Sequence, residues 1–317
     1  MIEGSSHVSI ENFDGRPYDT FIFAIGSELR SVQLFELLGS LPIRSAAYIH
    51  NHSSFVRERA GELVRNRSIE LEITGGSIFS NDQSGSLRSF LSSARSVLID
   101  VSCMTRTMMA ELVLCMAEKR RSGCRVDFAY LPSIYSDPTL EYPKIRRIGA
   151  AMPQFSGFEF RPGDPVALIL GLGHEYGVSL GLMNQIEPRI SIVFRSVGID
   201  ERFGSAVAEA NFDFQFPPFN PSLLDVDVTD PSGSFSIIEN AVANLVSDHR
   251  VLVIPGGPKI FAILSILAAF KHMGKVAIFR VDHSRVFYLG QPSESVILFS
   301  MSEEFGPRKD QSEWFRW

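Results

Sequence analysis

The sequence predicts an α/β protein made of two Rossmann-like lobes, each with a mainly parallel sheet, related to one another by internal duplication. Three observations predict it. Short apolar runs rich in Val, Ile and Phe alternate with amphipathic stretches along the 317 residues, the pattern of strands buried between two layers of helices. That rhythm stops once, in a Pro-rich stretch, and then restarts. The turns on either side of the break repeat in the same order.

The elements follow in sequence. "FIFAIG" (Phe21–Gly26) reads as a strand leading to a helix near Glu28–Leu38, and "AAYIH" (Ala46–His50) as a strand leading to a helix near Ser54–Asn66. "IELEIT" (Ile69–Thr74) precedes a helix near Leu87–Ser93, "SVLIDVS" (Ser96–Ser102) precedes the helix Thr105–Arg121, and "CRVDFAYLP" closes the first lobe, residues 18–132. Residues 133–165 hold five prolines, Pro138, Pro143, Pro153, Pro162 and Pro165, and read as a connector or inserted arm. The second lobe, residues 166–300, opens on "VALILGLG" and a helix to Ile186, then "RISIVFRSV" with a helix near Glu201–Ala210, and "LLDVDVTD" with a helix near Phe235–Val246. "RVLVIPGG" precedes the helix Lys259–Met273, "KVAIFRV" follows, and "VFYLG" with "SVILFS" reads as an added antiparallel hairpin. The tail, residues 301–317, is polar apart from Phe305, Trp314, Phe315 and Trp317, aromatic residues expected to pack on the chain or on a partner.

The repeat is specific at four turns. "FIFAIGSE" matches "LILGLGHE", and "VLIDVSCMTR" matches "VLVIPGGPK": a strand, a turn of small residues, then a basic residue in the first helical turn. Gly26 and Ser102 are 76 residues apart, Gly173 and Gly256 83. All four turns run from strand to helix, so all four lie at the carboxyl edge of a sheet, where open α/β folds bind ligands. A helix start there offers backbone N–H groups and the positive end of a dipole to a phosphate. Gly256, Gly257, Ser102 and Cys103 leave room for close approach, Ser102 and Thr105 carry hydroxyls, and Arg106 and Lys259 supply charge.

Plainer readings stand beside these. Ser102 or Thr105 can cap a helix, and Gly256-Gly257-Pro258 can be a tight turn with Pro at a helix start. Glu28 and Glu175 can meet a ribose hydroxyl, or simply suit a helix dipole. "GLGHE" opens like a dinucleotide fingerprint, but Tyr176 stands where its third Gly would be, so no NAD site is assigned. His174 lies near the same turn as a general base or ligand contact. His50 and His52 have HxH spacing without a clear third ligand, so no metal and no cofactor are expected. Cys103 at a helix start could be nucleophilic, but its counterpart is Gly257, which points to size as the requirement. Met104, Met108, Met109 and Met116 read as core.

Composition narrows the class. With 45% hydrophobic residues the chain can bury a large core, and a net charge of −6 argues against coating nucleic acid. The first residues, "MIEGSSHVSIENFDG", lack the order of a signal peptide, and "IFAILSILAAF" is too short to cross a bilayer. Three cysteines without CxxC fit a reduced compartment, so the expectation is a cytoplasmic protein with no membrane partner.

The "PGGPK" turn resembles the ligand motif of CARF domains, Rossmann-like sensors of cyclic oligonucleotides, and "DVSCMTR" is similar to looser forms of it. Two such units in one chain resemble the SAVED arrangement over most of residues 20–290. The resemblance implies a nucleotide bound in an asymmetric cleft between lobes. The contacts it implies are Ser102, Cys103, Thr105 and Arg106; Gly256, Gly257, Pro258 and Lys259; Gly26 to Glu28; and Gly173, His174 and Glu175. The first turn departs from the motif in lacking Gly-Gly, and the second in having Pro258 for the usual Thr. No nuclease-type effector segment follows, so the resemblance implies a separate protein effector, in a bacterial defence setting. The leading expectation is therefore a non-catalytic nucleotide sensor or adaptor. Two others compete: a nucleosidase or phosphodiesterase using His174, Glu175 or Asp100, and a ligand-free scaffold acting through its aromatic tail.

Overall fold

A computed structural model describes residues 2–14, 17–26, 28–38, 41–49, 69–74, 84–137, 144–212, 222–283 and 291–302. The HxH histidines, the segment expected as the helix Ser54–Asn66, "VFYLG" and the aromatic tail lie outside the described residues. Two compact units appear, one from residues 2–134 with 291–302, the other from 135–283. In chain order the first comprises β1 (Ile2–Ser9), β2 (Thr20–Ile25), α1 (Gln33–Leu38), β3 (Arg44–Ile49), β4 (Ile69–Thr74), α2 (Ser84–Leu91), β5 (Ser96–Asp100), α3 (Arg106–Arg121) and β6 (Arg125–Tyr130). The second comprises β7 (Ile145–Ala150), β8 (Val166–Gly171), α4 (Val178–Ile186), β9 (Ile190–Val197), α5 (Glu201–Ala210), β10 (Ser222–Asp227), α6 (Pro231–Leu245), β11 (Arg250–Ile254), α7 (Lys259–Lys271) and β12 (Val276–His283). The last strand, β13 (Ser295–Met301), returns to the first sheet.

The sheets share a topology. The first runs β1-β13-β6-β5-β2-β3-β4 and the second β10-β9-β8-β11-β12-β7. Counted from the first parallel strand of each, β2 or β8, both have the order third, second, first, fourth, fifth, which is that of a Rossmann half. Beyond the fifth strand each adds an antiparallel neighbour: β13 beside β6, and β7 beside β12. The inner parallel strands are covered on both faces: every residue of β2 is buried, and β5, β6, β8 and β11 are buried after their first residue, whereas the edge strand β10 is mostly exposed.

Side-chain burial explains the helices. In the first unit Phe21, Phe23, Leu34, Phe35 and Leu38 form one cluster with Leu98, Leu131 and Val296. Met104, Met108, Met109 and Met116 are fully buried, so the methionine face is core. In the second unit Leu168, Leu170, Leu182, Met183, Val193, Val207 and Ile254 form another. Every residue of α7 from Ile260 to Phe270 is buried, which accounts for its apolar character all round. Asp200 caps α5 by accepting from the Arg202 N–H, and Asp230 caps α6 by accepting from that of Gly233.

Three expectations are corrected. The "SVILFS" strand belongs to the first sheet, not to the second lobe: β13 lies between β1 and β6, antiparallel to both, and Phe299 stacks on Phe128 with centroids 5.1 Å apart. Its alternating apolar residues find their buried face on the first sheet. The Pro-rich stretch is not only a connector, since it supplies β7 and the 3-10 turn Pro153–Phe155, whose Phe155 is fully buried. Residues before Tyr18, outside the expected lobe, form β1, a strand pattern that its polar exposed side chains hid.

Candidate functional site

The four matched turns come together in pairs. β2 lies beside β5 and β8 beside β11, each pair parallel, so the turns after them are neighbours at the carboxyl edge of their own sheet. Each pair also marks the reversal of strand order, the place where open α/β sheets bind ligands. Tertiary structure thus unites segments that the sequence separates by about 80 residues.

In the second unit the two turns touch through backbone. A Cβ on Gly256 would lie 3.2 Å from the carbonyl carbon of Gly171 and closer still to its oxygen; one on Gly257 would lie 3.4 Å from that of Leu172. Gly257 also has φ +70°, where a side chain is strained. Glycine is therefore required here first by the packing of one turn on the other. Gly173, buried, would place a Cβ 3.5 Å from the Gly257 nitrogen, and the Glu175 carboxylate folds back over that same position. Asn211, buried at the end of α5, holds the turn by donating from Nδ2 to the Gly173 and Val207 carbonyls, both at 2.8 Å. Asn211 was not singled out in the sequence; an isolated Asn after a helix carries no signal of a contact 38 residues away.

Glu175 is not at a helix start. α4 begins only at Val178, after Gly177 in the left-handed region at φ 73°, so His174 and Glu175 sit in the loop, both half-buried. The helix-dipole reading of Glu175 is thereby corrected. α7 begins at Lys259 with Pro258 as its N-cap, and the Pro258 side chain makes no capping hydrogen bond. Proline has no hydroxyl or carboxylate to offer the first-turn N–H groups. Gly256, Gly257, Pro258 and Lys259 are all half-buried.

The first unit arranges the same place differently. Thr105 caps α3: its Oγ1 accepts from the Met108 N–H at 3.2 Å. Ser102 is fully buried and its hydroxyl is engaged twice, donating to Asp100 Oδ1 at 2.5 Å and accepting from the Leu131 N–H at 2.8 Å. It ties the end of β5 to the end of β6 and does not face a ligand, which corrects its assignment as a phosphate donor. The Asp100 carboxyl, also accepting from the Ser102 N–H, is pushed up to about 6 by burial, against the pull of those hydrogen bonds and of Arg30.

Arg30 is a second residue that the sequence does not single out. Its guanidinium is buried, donating from Nε to Glu28 Oε2 at 2.7 Å and from Nη1 to the Leu131 carbonyl at 2.8 Å, with its carbon 5.9 Å from the Tyr130 ring centre. Glu28 is therefore an ion-pair partner here. It precedes the 3-10 turn Leu29–Ser31 rather than starting a continuous helix. Burial pushes the Tyr130 hydroxyl upward, opposed by Arg30. Gly26 and Cys103 are neighbours, since a Cβ on Gly26 would lie 3.5 Å from that of Cys103. Cys103 and Arg106 are half-buried.

Compared with models of known protein families, the chain matches none, and a search of curated proteins gave no match either. Among the described residues no group of His, Cys, Asp and Glu is placed to hold a metal ion, and no helix is long and apolar enough to cross a membrane.

Proposed function

We propose that the protein is a non-catalytic sensor or adaptor that binds a nucleotide or similar phosphate-bearing ligand at the Gly256–Lys259 turn of the second unit and signals through a protein partner. One observation carries this reading. The turn lies at the reversal of strand order in a Rossmann-type sheet, beside Gly173, and opens a helix whose N-cap residue is a proline, with no side-chain cap of its own to give. Lys259, in the first helical turn, adds positive charge there. The equivalent place in the first unit has its own cap, its own buried cation and that cation's carboxylate partner, so it serves the fold first. An acid/base reading of Asp100 is disfavoured, because it is 2% exposed and held by Ser102, out of reach of a substrate.

The test is calorimetric titration with a panel of linear and cyclic oligonucleotides on the wild type, Lys259→Ala and Arg106→Ala. A charge-assisted hydrogen bond contributes about 1.5–3 kcal/mol, so Lys259→Ala should weaken binding about ten- to a hundredfold, and more than Arg106→Ala does. Raised salt should weaken the wild type more than the Lys259 variant. No binding by the wild type, or binding untouched by Lys259→Ala, would refute the assignment.

A further inference from the structure

The two sheets end differently at corresponding edges. In the first, the antiparallel strand β13 is covered by β1, which pairs with it from Ile2↔Met301 to Ser9↔Ser295. In the second, the corresponding strand β7 is the last of the sheet, and among the described residues nothing pairs with its outer edge. We propose that the outer edge of β7 is a docking site for an extended acidic segment of a partner protein, added as an antiparallel strand in the way that β1 is added to β13.

Charge specifies the occupant. Lys144, Arg146 and Arg147 are exposed along this edge of a chain whose net charge is −6. Arg280 of β12 pairs with Gly149 and Asp282 with Arg147, so Arg147 and Arg280 share a face; Arg147 Nε would lie 3.8 Å from a Cβ on Gly149. Asp282, 3.5 Å from Arg280, is the one acid among these residues. Backbone supplies the pairing groups. The Ala151 N–H donates to the Ile278 carbonyl at 2.7 Å, and antiparallel alternation then turns the N–H and C=O of Ile148 and Ala150 outward. The strand is anchored to receive a neighbour: Ile145 and Ile148 pack on the apolar cluster that includes Leu182 and Met183 of α4. The register shift that leaves Arg146 unpaired lets both isoleucines face inward. Cations on an edge strand repel a second β7, so self-pairing across a two-fold axis is disfavoured and an acidic strand is selected.

The probe is a fluorescein-labelled peptide alternating Glu with Val or Thr, followed by anisotropy on the full chain. The expected result is saturable binding, weakened about tenfold or more by R146E/R147E and by Arg146→Ala in proportion to charge. The same peptide with Lys for Glu should not bind, nor should one N-methylated at alternate residues, which keeps the charge and removes the strand pairing. No binding of the Glu peptide overturns the proposal, as does equal binding of its N-methylated form, which would mean charge attraction alone. Self-association in light scattering that R146E/R147E abolishes, without peptide binding, would assign the edge to a second copy and overturn it too.

Discussion

Replacing Gly256 with Ala should destabilise the second unit far more than Gly26→Ala, in the turn after β2 of the first unit, destabilises that unit. A methyl on Gly256 meets the Gly171 carbonyl, and the atoms that would have to move are backbone at the end of β8, the central strand of the sheet. Neither turn can yield alone, because Gly171 is itself closed in by Gly256 O, 2.7 Å from where its own Cβ would stand, and by the ring of Phe261. Overpacking typically costs about 1–3 kcal/mol, and rigid neighbours place this case near about 3 kcal/mol. For a unit of this size that lowers the melting midpoint by about 6–12 °C. At Gly26 the added methyl meets Cys103, its Cβ at 3.5 Å and its carbonyl oxygen at 3.9 Å, both ordinary contacts, so the first unit should change by about 0.5 kcal/mol or less. The assay is calorimetric melting, with hydrogen exchange to tell the units apart, since two units need not unfold as one transition. A Gly256→Ala protein as stable as wild type, or a Gly26→Ala protein equally damaged, would refute the view that packing of turn on turn dictates glycine in the second unit only.

Two more predictions concern pH. The Asp100 carboxyl is raised to about 6 in the fold, so the folded state holds its proton where the unfolded chain has lost it. Stability of the first unit should therefore fall by up to about 3 kcal/mol as pH rises from about 4 to 6 and then level off. Asp100→Asn, which can still accept from Ser102, should remove that slope, and urea titrations that retain it would refute the assignment. Glu239 behaves oppositely: burial pushes its carboxyl up, but hydrogen bonds from Lys271 at 2.9 Å and His272 at 3.2 Å outweigh this and hold it below the usual range. Its contribution is present above the unfolded carboxyl range and lost as pH falls through the folded value, so Glu239→Gln should lower second-unit stability at neutral pH and leave it unchanged near pH 3. An equal loss at both pH values would show that packing, not charge, links α6 to α7 there.

How much of this was legible in the sequence differs by element. The buried parallel strands were plain, because a strand covered on both faces reads as a continuous apolar run, as β2 does from Phe21 to Ile25. α3, α5 and α7 were found within a residue or two because their patterns end at Thr105, Asp200 or Pro258, residues that begin helices. β1 and β7 were missed because an edge strand with polar or basic exposed side chains has no alternation to read. β13 was seen as a strand but placed on the wrong sheet, since side-chain alternation states which face is buried and not against what.

The sequence by itself determined two Rossmann-like lobes and the strand-to-helix turns at the carboxyl edge of each sheet. Periodicity and small-residue turns are local properties, repeated in order along the chain. Only the tertiary structure decided what those residues do. It made Ser102 and Arg30 internal ties, turned Glu28 into an ion-pair partner, and showed Gly256 to be glycine because another turn lies against it. The ties from Ser102 and Arg30 to Leu131 join residues 29 and 101 positions apart. The identity of a hydroxyl or a guanidinium states what bonds it can make, while its partner is set by which strands the fold brings side by side.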